Sequence, residues 1–181
     1  MTKEKIVLHA CCAVCLGHPY TLLNELNYEI IVLFYNPNIY PNEEYERRKA
    51  ELIRFCETKK VNYKILEDDT EVYYKAIKGF ETEPEKGSRC QKCFELRLQK
   101  TAEFAKNINA NYFTTTLSVS PHKRFAQIQE TAKKAETATG IKYLGYDFKK
   151  QNGFLKTNEI AKEFNFYRQD YCGCKFSIRK K

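Results

Sequence analysis

Apolar positions along this chain fall into two alternating rhythms. Short continuous runs of aliphatic and β-branched residues read as buried strands, and longer stretches with a three-to-four-residue apolar spacing read as helices. The first run, Lys5-Ile6-Val7-Leu8-His9-Ala10, predicts a strand leading into a cysteine-rich loop. A short helix is expected over 18–27 and a second strand over 29–35, hydrophobic throughout and so buried on both faces. A charged helix follows over 42–59, then a strand over 63–66 and a short helix over 70–79. Residues 89–106 carry Phe94, Leu98, Ala102 and Ala105 on one helical stripe. A fourth strand is expected over 112–117. Ser120-Pro121 has the form of a helix start, opening a helix over 121–139 that Gly140 stops. A fifth strand over 141–148 and a last helix over 157–165 complete the pattern.

Strands alternating with helices predict an α/β fold: a single domain over residues 1–181, with a mostly parallel, Rossmann-like (HUP-like) sheet and helices on both faces. Ligands of such sheets collect beyond the carboxyl ends of the strands, where the strand order reverses. Cys11, Cys12 and Cys15 lie just past the first strand and 114–123 lies at and past the fourth, so both segments are expected at one edge.

Composition changes this picture in two places. The longest apolar run, 30–35, is far too short to cross a bilayer, and no signal-like segment precedes the first strand. No membrane partner and a cytoplasmic location are therefore expected. The net charge is +8, and residues 149–181 hold nine Lys or Arg against three Asp or Glu. Aromatic residues lie among those charges: Phe154, Phe164, Phe166, Tyr167, Tyr171 and Phe176. A basic aromatic segment at about 149–181 suits either a solvated tail or single-stranded nucleic acid, since cations neutralise phosphates and rings stack on bases.

The cysteines change it more. Seven of the eight fall into three groups: Cys11, Cys12 and Cys15; Cys90 and Cys93; Cys172 and Cys174. Such grouping in a reducing compartment reads as metal binding or thiol redox chemistry rather than disulfide stapling. Cys90 and Cys93 share one face at a helix start, where the dipole favours thiolates, and Arg97 lies one turn on. Gly173 permits the bend that turns Cys172 and Cys174 inward. The adjacent Cys11 and Cys12 can face different ways in a turn, which suits two metal atoms better than one tetrahedral site, and spacing does not assign either cysteine to a metal. Structural zinc takes four ligands, and seven thiols exceed one such site. An iron–sulfur cluster with a second metal or a redox pair accommodates them. Cys56 follows Leu52 on the apolar face of its helix and reads as core.

Other residues qualify as candidates. Ser120, at the expected helix start, and Lys123 beside it suit a phosphate or a substrate hydroxyl, although plain capping explains the serine equally. The hydroxyls of Thr114, Thr115, Thr116 and Ser118 lie where the fourth strand leaves the sheet. Asp170 and Tyr171 adjoin cysteines and are candidate proton donors. His9, beside Cys11, is a candidate ligand or proton donor, although a hydrogen-bonded core histidine explains it at least as well. Tyr45, Arg48 and Glu51 share a helix face, which an exposed charged stripe explains as well. No Ser-Gly-Gly-x-Asp-Ser loop, Walker loop, Gly-x-Gly-x-x-Gly or Cys-x-x-x-Cys-x-x-Cys triplet occurs, so no bound dinucleotide is expected. The residues alone leave open a redox enzyme, a non-enzymatic zinc or iron–sulfur RNA-binding module, and a metal-free dithiol oxidoreductase.

The joint pattern resembles the QueH family of epoxyqueuosine reductases. It is carried by His9-Ala10-Cys11-Cys12-Ala13-Val14-Cys15, Tyr35-Asn36-Pro37-Asn38-Ile39, Arg89-Cys90-Gln91-Lys92-Cys93 with Arg97, Thr114 through Lys123, and Gln169-Asp170-Tyr171-Cys172-Gly173-Cys174-Lys175-Phe176-Ser177. Val14 replaces a proline common in members, and Cys15 an aspartate found in some, which makes an all-thiolate ligand set possible here. The resemblance implies reduction of the epoxide of epoxyqueuosine in tRNA to queuosine with loss of water, the last step of queuosine biosynthesis. It further implies a [4Fe-4S] cluster with an adjacent iron or other metal ion, no cobalamin, and an external electron donor. The partner it implies is the tRNA anticodon stem-loop, met by Arg97, Ser120, Lys123, Lys175, Arg179 and Lys180.

Overall fold

The computed structural model describes residues 2–67 and 70–178. Five parallel strands form one sheet in the order β3-β2-β1-β4-β5: β1 Lys5–His9, β2 Glu29–Phe34, β3 Asn62–Ile65, β4 Tyr112–Thr115 and β5 Lys142–Tyr143. Helices α1 Ala13–Glu25, α2 Asn42–Lys59, α3 Thr70–Ala76, α4 Ser88–Asn107, α5 Phe125–Thr139 and α6 Gly153–Glu163 cover it.

The two faces of the sheet follow from the pleat. Ile6 and Leu8 of β1 join Val32 and Phe34 of β2 in one core, which also takes in Leu16, Leu23, Leu52 and Phe55 from α1 and α2. Val7, Leu33 and Phe113 point the other way and pack with Leu98 and Ala102 of α4 and Ile128 and Ala132 of α5. Because successive side chains alternate between faces, a strand buried on both must be apolar throughout. β1 meets this condition, with Ile6, Val7 and Leu8 all at 0% exposure. Cys56 is likewise fully buried in the first core, as its spacing predicts, and burial pushes its thiol up to about 12.

Several boundaries differ from the sequence reading. α1 begins at Ala13 rather than 18, with Gly17 and Pro19 inside it. The fourth strand ends at Thr115 and gives way to a 3-10 turn, Thr116–Val119. α5 begins at Phe125, so Ser120-Pro121 does not open it. Ser120 instead holds a turn, its Oγ accepting from the His122 N–H at 3.3 Å and its carbonyl from the Lys123 N–H at 3.2 Å. β5 is only two residues long, its pairing with β4 ending at Phe113–Tyr143 while β4 runs on beside β1 to Thr115. α6 starts at Gly153, four residues before the expected helix.

The strand order places the reversal between β1 and β4. His9 at the end of β1 pairs with Leu33 of β2 on one side and Thr115 of β4 on the other. The crevice beyond that edge is where Cys11 to Cys15 and Thr116 to Lys123 emerge. Among the described residues no helix is long and apolar enough to cross a membrane.

Gly140 closes α5 in the left-handed conformation, with φ of 78° and nothing within 4 Å of where a Cβ would stand. Gly140→Ala therefore meets backbone strain without a clash. We expect a loss of about 1–2 kcal/mol of unfolding free energy, read from the midpoint shift of a urea titration.

Candidate metal centre

Cys12 is the N-cap of α1. Its backbone is extended, and its Sγ accepts the Cys15 N–H at 3.4 Å, taking the part that Ser or Asp oxygens usually play. This brings three sulfurs to one helix N-terminus. Cys11 and Cys12 Sγ lie 3.9 Å apart, and the ligand atoms of Cys11, Cys12 and Cys15 all lie within 4.8 Å of one another. Of the orientations open to adjacent cysteines in a turn, the capping turn takes the one that keeps both sulfurs close together. The amide of Gln169 donates to Cys12 Sγ at 2.9 Å, and the Thr116 hydroxyl is 3.7 Å from Cys11 Sγ.

The other groups join this triad around one cavity of about 300 Å³. Cys11, Cys15, Cys90, Cys93, Cys172 and Cys174 line it, with Cys12 directly behind Cys11. Cys90 and Cys93 lie in the first two turns of α4, and the Lys86 N–H donates to Cys90 Sγ at 3.3 Å. Cys93 and Cys174 pack with Tyr73 and Ile77, where Tyr73 forms part of the wall.

Three arginines are buried around this arrangement: Arg89, which donates to the carbonyls of Glu81 and Glu83, and Arg48 and Arg97, which tie the cysteine segments to one another. Arg48 is 2% exposed, not part of an exposed stripe. Its Nε donates to Glu44 at 2.7 Å, while its two terminal nitrogens donate to the carbonyls of Cys172 (3.0 Å) and Tyr171 (3.2 Å). Gly173 makes room for it: φ is +115°, and a Cβ there would stand 2.8 Å from Arg48 Nη1. Arg97, also 2% exposed, donates to Asn36 Oδ1 at 2.6 Å and to Cys93 Sγ at 3.8 Å. Asn36 in turn donates to the Ala10 carbonyl at 3.0 Å, at the foot of the cysteine turn. Arg97 lies behind the wall and is not placed to meet RNA as the sequence reading expects.

Charge and hydrogen bonding tune the thiols. Hydrogen bonds from Cys12 and Cys15 hold the Cys11 thiol well below its ordinary range, and Lys123 and Arg97 act in the same direction against burial. The hydrogen bond to Cys11 pushes Cys12 up to about 12, and Cys15 is raised for the same reason. Burial raises Cys90 and pushes Cys93 up to about 12. Burial alone would lower Lys123, but the sulfurs of Cys172, Cys11 and Cys15 hold its ammonium well above the usual lysine value. Buried sulfurs gathered with cations close by form a soft donor set, which fits a metal group that would displace the thiol protons on binding.

The remaining candidates are placed unequally. Asp170, Tyr171, Ser120 and Lys123 line the cavity. The Tyr171 hydroxyl donates to the Tyr40 carbonyl, and burial pushes it up to about 12. His9 is fully buried and does not line the cavity. Its Nε2–H donates to the Tyr35 carbonyl at 3.2 Å, leaving Nδ1 to accept from the Thr115 hydroxyl at 2.8 Å. Burial lowers it to about 3. A neutral imidazole with its one proton so engaged is a brace between β1 and β4, and does not suit the proton-donor role expected of it. Lys175 is exposed over the Tyr40 ring, 5.6 Å from its centroid. Arg179 and Lys180 lie outside the described residues. Arg48, Asn36, Gln169 and Tyr73 were not singled out for these positions by the sequence. Asn36 and Gln169 lie within the quoted motifs, but nothing in the spacing marks Arg48 as buried.

Arg48→Ala should leave Glu44 unpaired in the interior and free the Cys172 loop. A loss of about 3–5 kcal/mol is expected from breaking a buried pair on one side, measured by urea unfolding.

Comparison with known proteins agrees with this geometry. The family described as Epoxyqueuosine reductase QueH matches residues 6–180. Proteins named epoxyqueuosine reductase QueH are 37% identical in Acinetobacter baylyi (97% of this chain, 81% of that protein), and 38% in Haemophilus influenzae (97% and 72%). The one from Thermotoga maritima is 32% identical (96% and 90%). In fold, the chain is similar to the U34-tRNA thiolase NcsA from Methanococcus maripaludis with its [4Fe-4S] cluster: TM-score 0.62 at 15% identity, over 99% of this chain and 63% of that one. It is also similar to a predicted subunit of tRNA methyltransferase from Methanocaldococcus jannaschii, with TM-score 0.54 at 14% identity, over 84% and 76%. With the family and its relatives matching nearly the whole of this chain and the cysteine groups gathered at one sheet edge, the chain belongs to the QueH family of epoxyqueuosine reductases.

Proposed function

We propose that this protein reduces the epoxide of epoxyqueuosine in the anticodon stem-loop of tRNA, giving queuosine and water. The observation that carries the reading is the convergence of six of the seven grouped cysteines on one cavity, with the seventh 3.9 Å behind Cys11. The reaction consumes two electrons and two protons: the two C–O bonds of the epoxide break, a C=C bond forms, and the oxygen leaves as water. Electrons enter from an external donor.

Cys11, Cys12, Cys15, Cys90, Cys93, Cys172 and Cys174 would hold a [4Fe-4S] cluster and an adjacent iron or other metal ion. When bound, that group supplies the electrons, without cobalamin. Around it, Arg97 and Lys123 offset the negative charge of the thiolates. Arg48 fixes the loop that carries Cys172 and Cys174, and the Cys12 cap fixes the triad. Asp170 lies exposed on the cavity wall, where its carboxyl can pass a proton to the departing oxygen. The Tyr171 hydroxyl proton is engaged at the Tyr40 carbonyl, which makes Tyr171 the lesser donor.

Anaerobic iron and sulfide analysis tests the centre. About four or more irons per chain are expected, with Cys15→Ala or Cys90→Ala losing iron and colour and Cys56→Ala keeping both. A colourless zinc protein would instead support an RNA-binding module, and full activity without metal a dithiol mechanism. Nucleoside analysis of tRNA after incubation should show epoxyqueuosine converted to queuosine without added cobalamin. Strict cobalamin dependence would falsify the proposed chemistry.

Lys175, with Arg179 and Lys180, is proposed to hold tRNA phosphates. Neutralising all three should weaken tRNA binding and flatten the slope of log affinity against log salt by about 0.7–0.9 per lost contact. Iron content should be unchanged. An unaltered slope would mean that these charges belong to a solvated tail.

A further inference from the structure

Six aromatic residues stand among the cations of 149–178, and five of them are used up inside the protein. Phe164 and Phe166 stack on each other with ring centroids 5.3 Å apart, and both pack on Phe55. Arg47 lies 3.4 Å over the Tyr167 ring, Arg48 5.3 Å from that of Tyr171, and Arg89 5.1 Å from that of Phe176. Phe154 alone of the six has neither a ring nor a cation on its face among the described residues. It is also the one exposed large hydrophobic side chain, at 42%, on the wall of the cavity that the cysteines share.

An apolar ring left open in a cavity wall forgoes part of the stabilisation that covering it would contribute. Its surroundings say what would cover it. Phe154 sits in the first turn of α6, backed by Thr157, whose hydroxyl donates to the Gly153 carbonyl at 2.9 Å. Gly17 of α1 lies against Ile160 of the same helix, so the ring stands on a fixed element. One turn on, Asn158 also lines the cavity. Its Oδ1 accepts from Arg168 Nη2 at 2.7 Å, and its amide N–H donors are left without a partner among the described residues. Arg168 and Lys123 on the same wall are cationic. A planar face, an amide positioned to read an edge and neighbouring cations together match an unpaired base and its phosphates. A splayed-out base presents a free ring face to Phe154 on this open wall, whereas a base within a paired helix does not.

We infer that Phe154 is the stacking platform for the ring of the modified base, with Asn158 on its edge and Arg168 on its backbone, so that the substituent of that base extends toward the cysteines. This rests on the proposed function for the identity of the base. The amide of Asn158 makes the subsite a reader of ring edges as well as of shape, and Phe154 a residue that positions substrate rather than one that moves protons.

The test is anaerobic equilibrium binding of the whole, metal-loaded protein to two synthetic anticodon stem-loops. One carries the epoxide-bearing base, and the other has an abasic residue at that position. Phe154→Ala should weaken the intact loop about tenfold or more, the range in which lost base–aromatic stacking falls. Phe154→Tyr should stay within about threefold. On the abasic loop, Phe154→Ala and wild type should bind alike. Iron content and far-UV circular dichroism should match wild type, since the ring is exposed. Equal binding of the intact loop by Phe154→Ala and wild type would overturn the subsite alone. So would an equal loss on both loops, because the ring would then be structural or would serve another nucleotide. A wild type that binds the intact loop in this pattern but leaves the epoxide unreduced would overturn the proposed reaction and leave the subsite standing. A wild type that binds neither loop would overturn both.

Discussion

Three guanidinium groups are buried around a set of sulfurs, and two of them, those of Arg48 and Arg97, set the constraint around which the site is arranged. Burying a cation costs several kcal/mol unless an anion and hydrogen bonds compensate. Arg48 has its anion in Glu44 and spends its remaining donors on the carbonyls of Tyr171 and Cys172. Arg97 has no carboxylate partner among the described residues. Its neighbours are the Asn36 amide oxygen and the Cys93 sulfur, and its Nε is left without a partner. Such a charge is compensated when the neighbouring sulfurs give up their protons to a metal, and thiolates so near one another are in turn compensated by a cation or a metal. Each half therefore explains why the other is tolerated, and Asn36 carries the coupling on to the Ala10 carbonyl before the triad.

The same logic explains why residues distant in sequence converge. α1 brings the triad as its cap, α4 brings Cys90 and Cys93 in its first turns, and Arg48 of α2 draws the Cys172–Cys174 loop inward. The reversal of strand order between β1 and β4 opens the crevice these elements surround. Lys123 reaches the same cavity from the turn that follows β4, held by the Ser120 carbonyl.

Much of this was legible in the residues. The apolar runs gave the strands, and the reversal rule put Cys11 to Cys15 beside the exit of β4. The cysteine spacing and the flanking motifs gave the family. What was not legible depended on contacts across the fold. Sulfur is not among the usual helix caps, and Gly17 and Pro19 argue against a helix, so the start of α1 was placed too late. Pro19 lacks the N–H that would meet the Cys15 carbonyl, yet packing against α6 and the sheet keeps the helix continuous. Ser120-Pro121 has the chemistry of a helix start, but the chain turns once more before α5. Arg48 sits in a charged helix whose sequence gives no hint of burial, because its partners at Tyr171 and Cys172 come from the far end of the chain. The basic aromatic segment was readable as a composition, but which of its rings stay free was not, since five of the six are taken up by partners within the fold.

The gathering of cysteines from both ends of the fold bears on how the protein is made. Cys11, Cys12 and Cys15 leave the ribosome well before Cys172 and Cys174. At about 5–20 residues per second the interval is about ten to thirty seconds. During it the triad has its helix cap in reach but not the Gln169 amide or the loop that Arg48 anchors. Metal captured by the nascent chain would find only part of its ligand set and an open door to oxygen. If the donor set is the one proposed, it is complete only once Cys172 and Cys174 have emerged, which ties the order of assembly to the direction of translation.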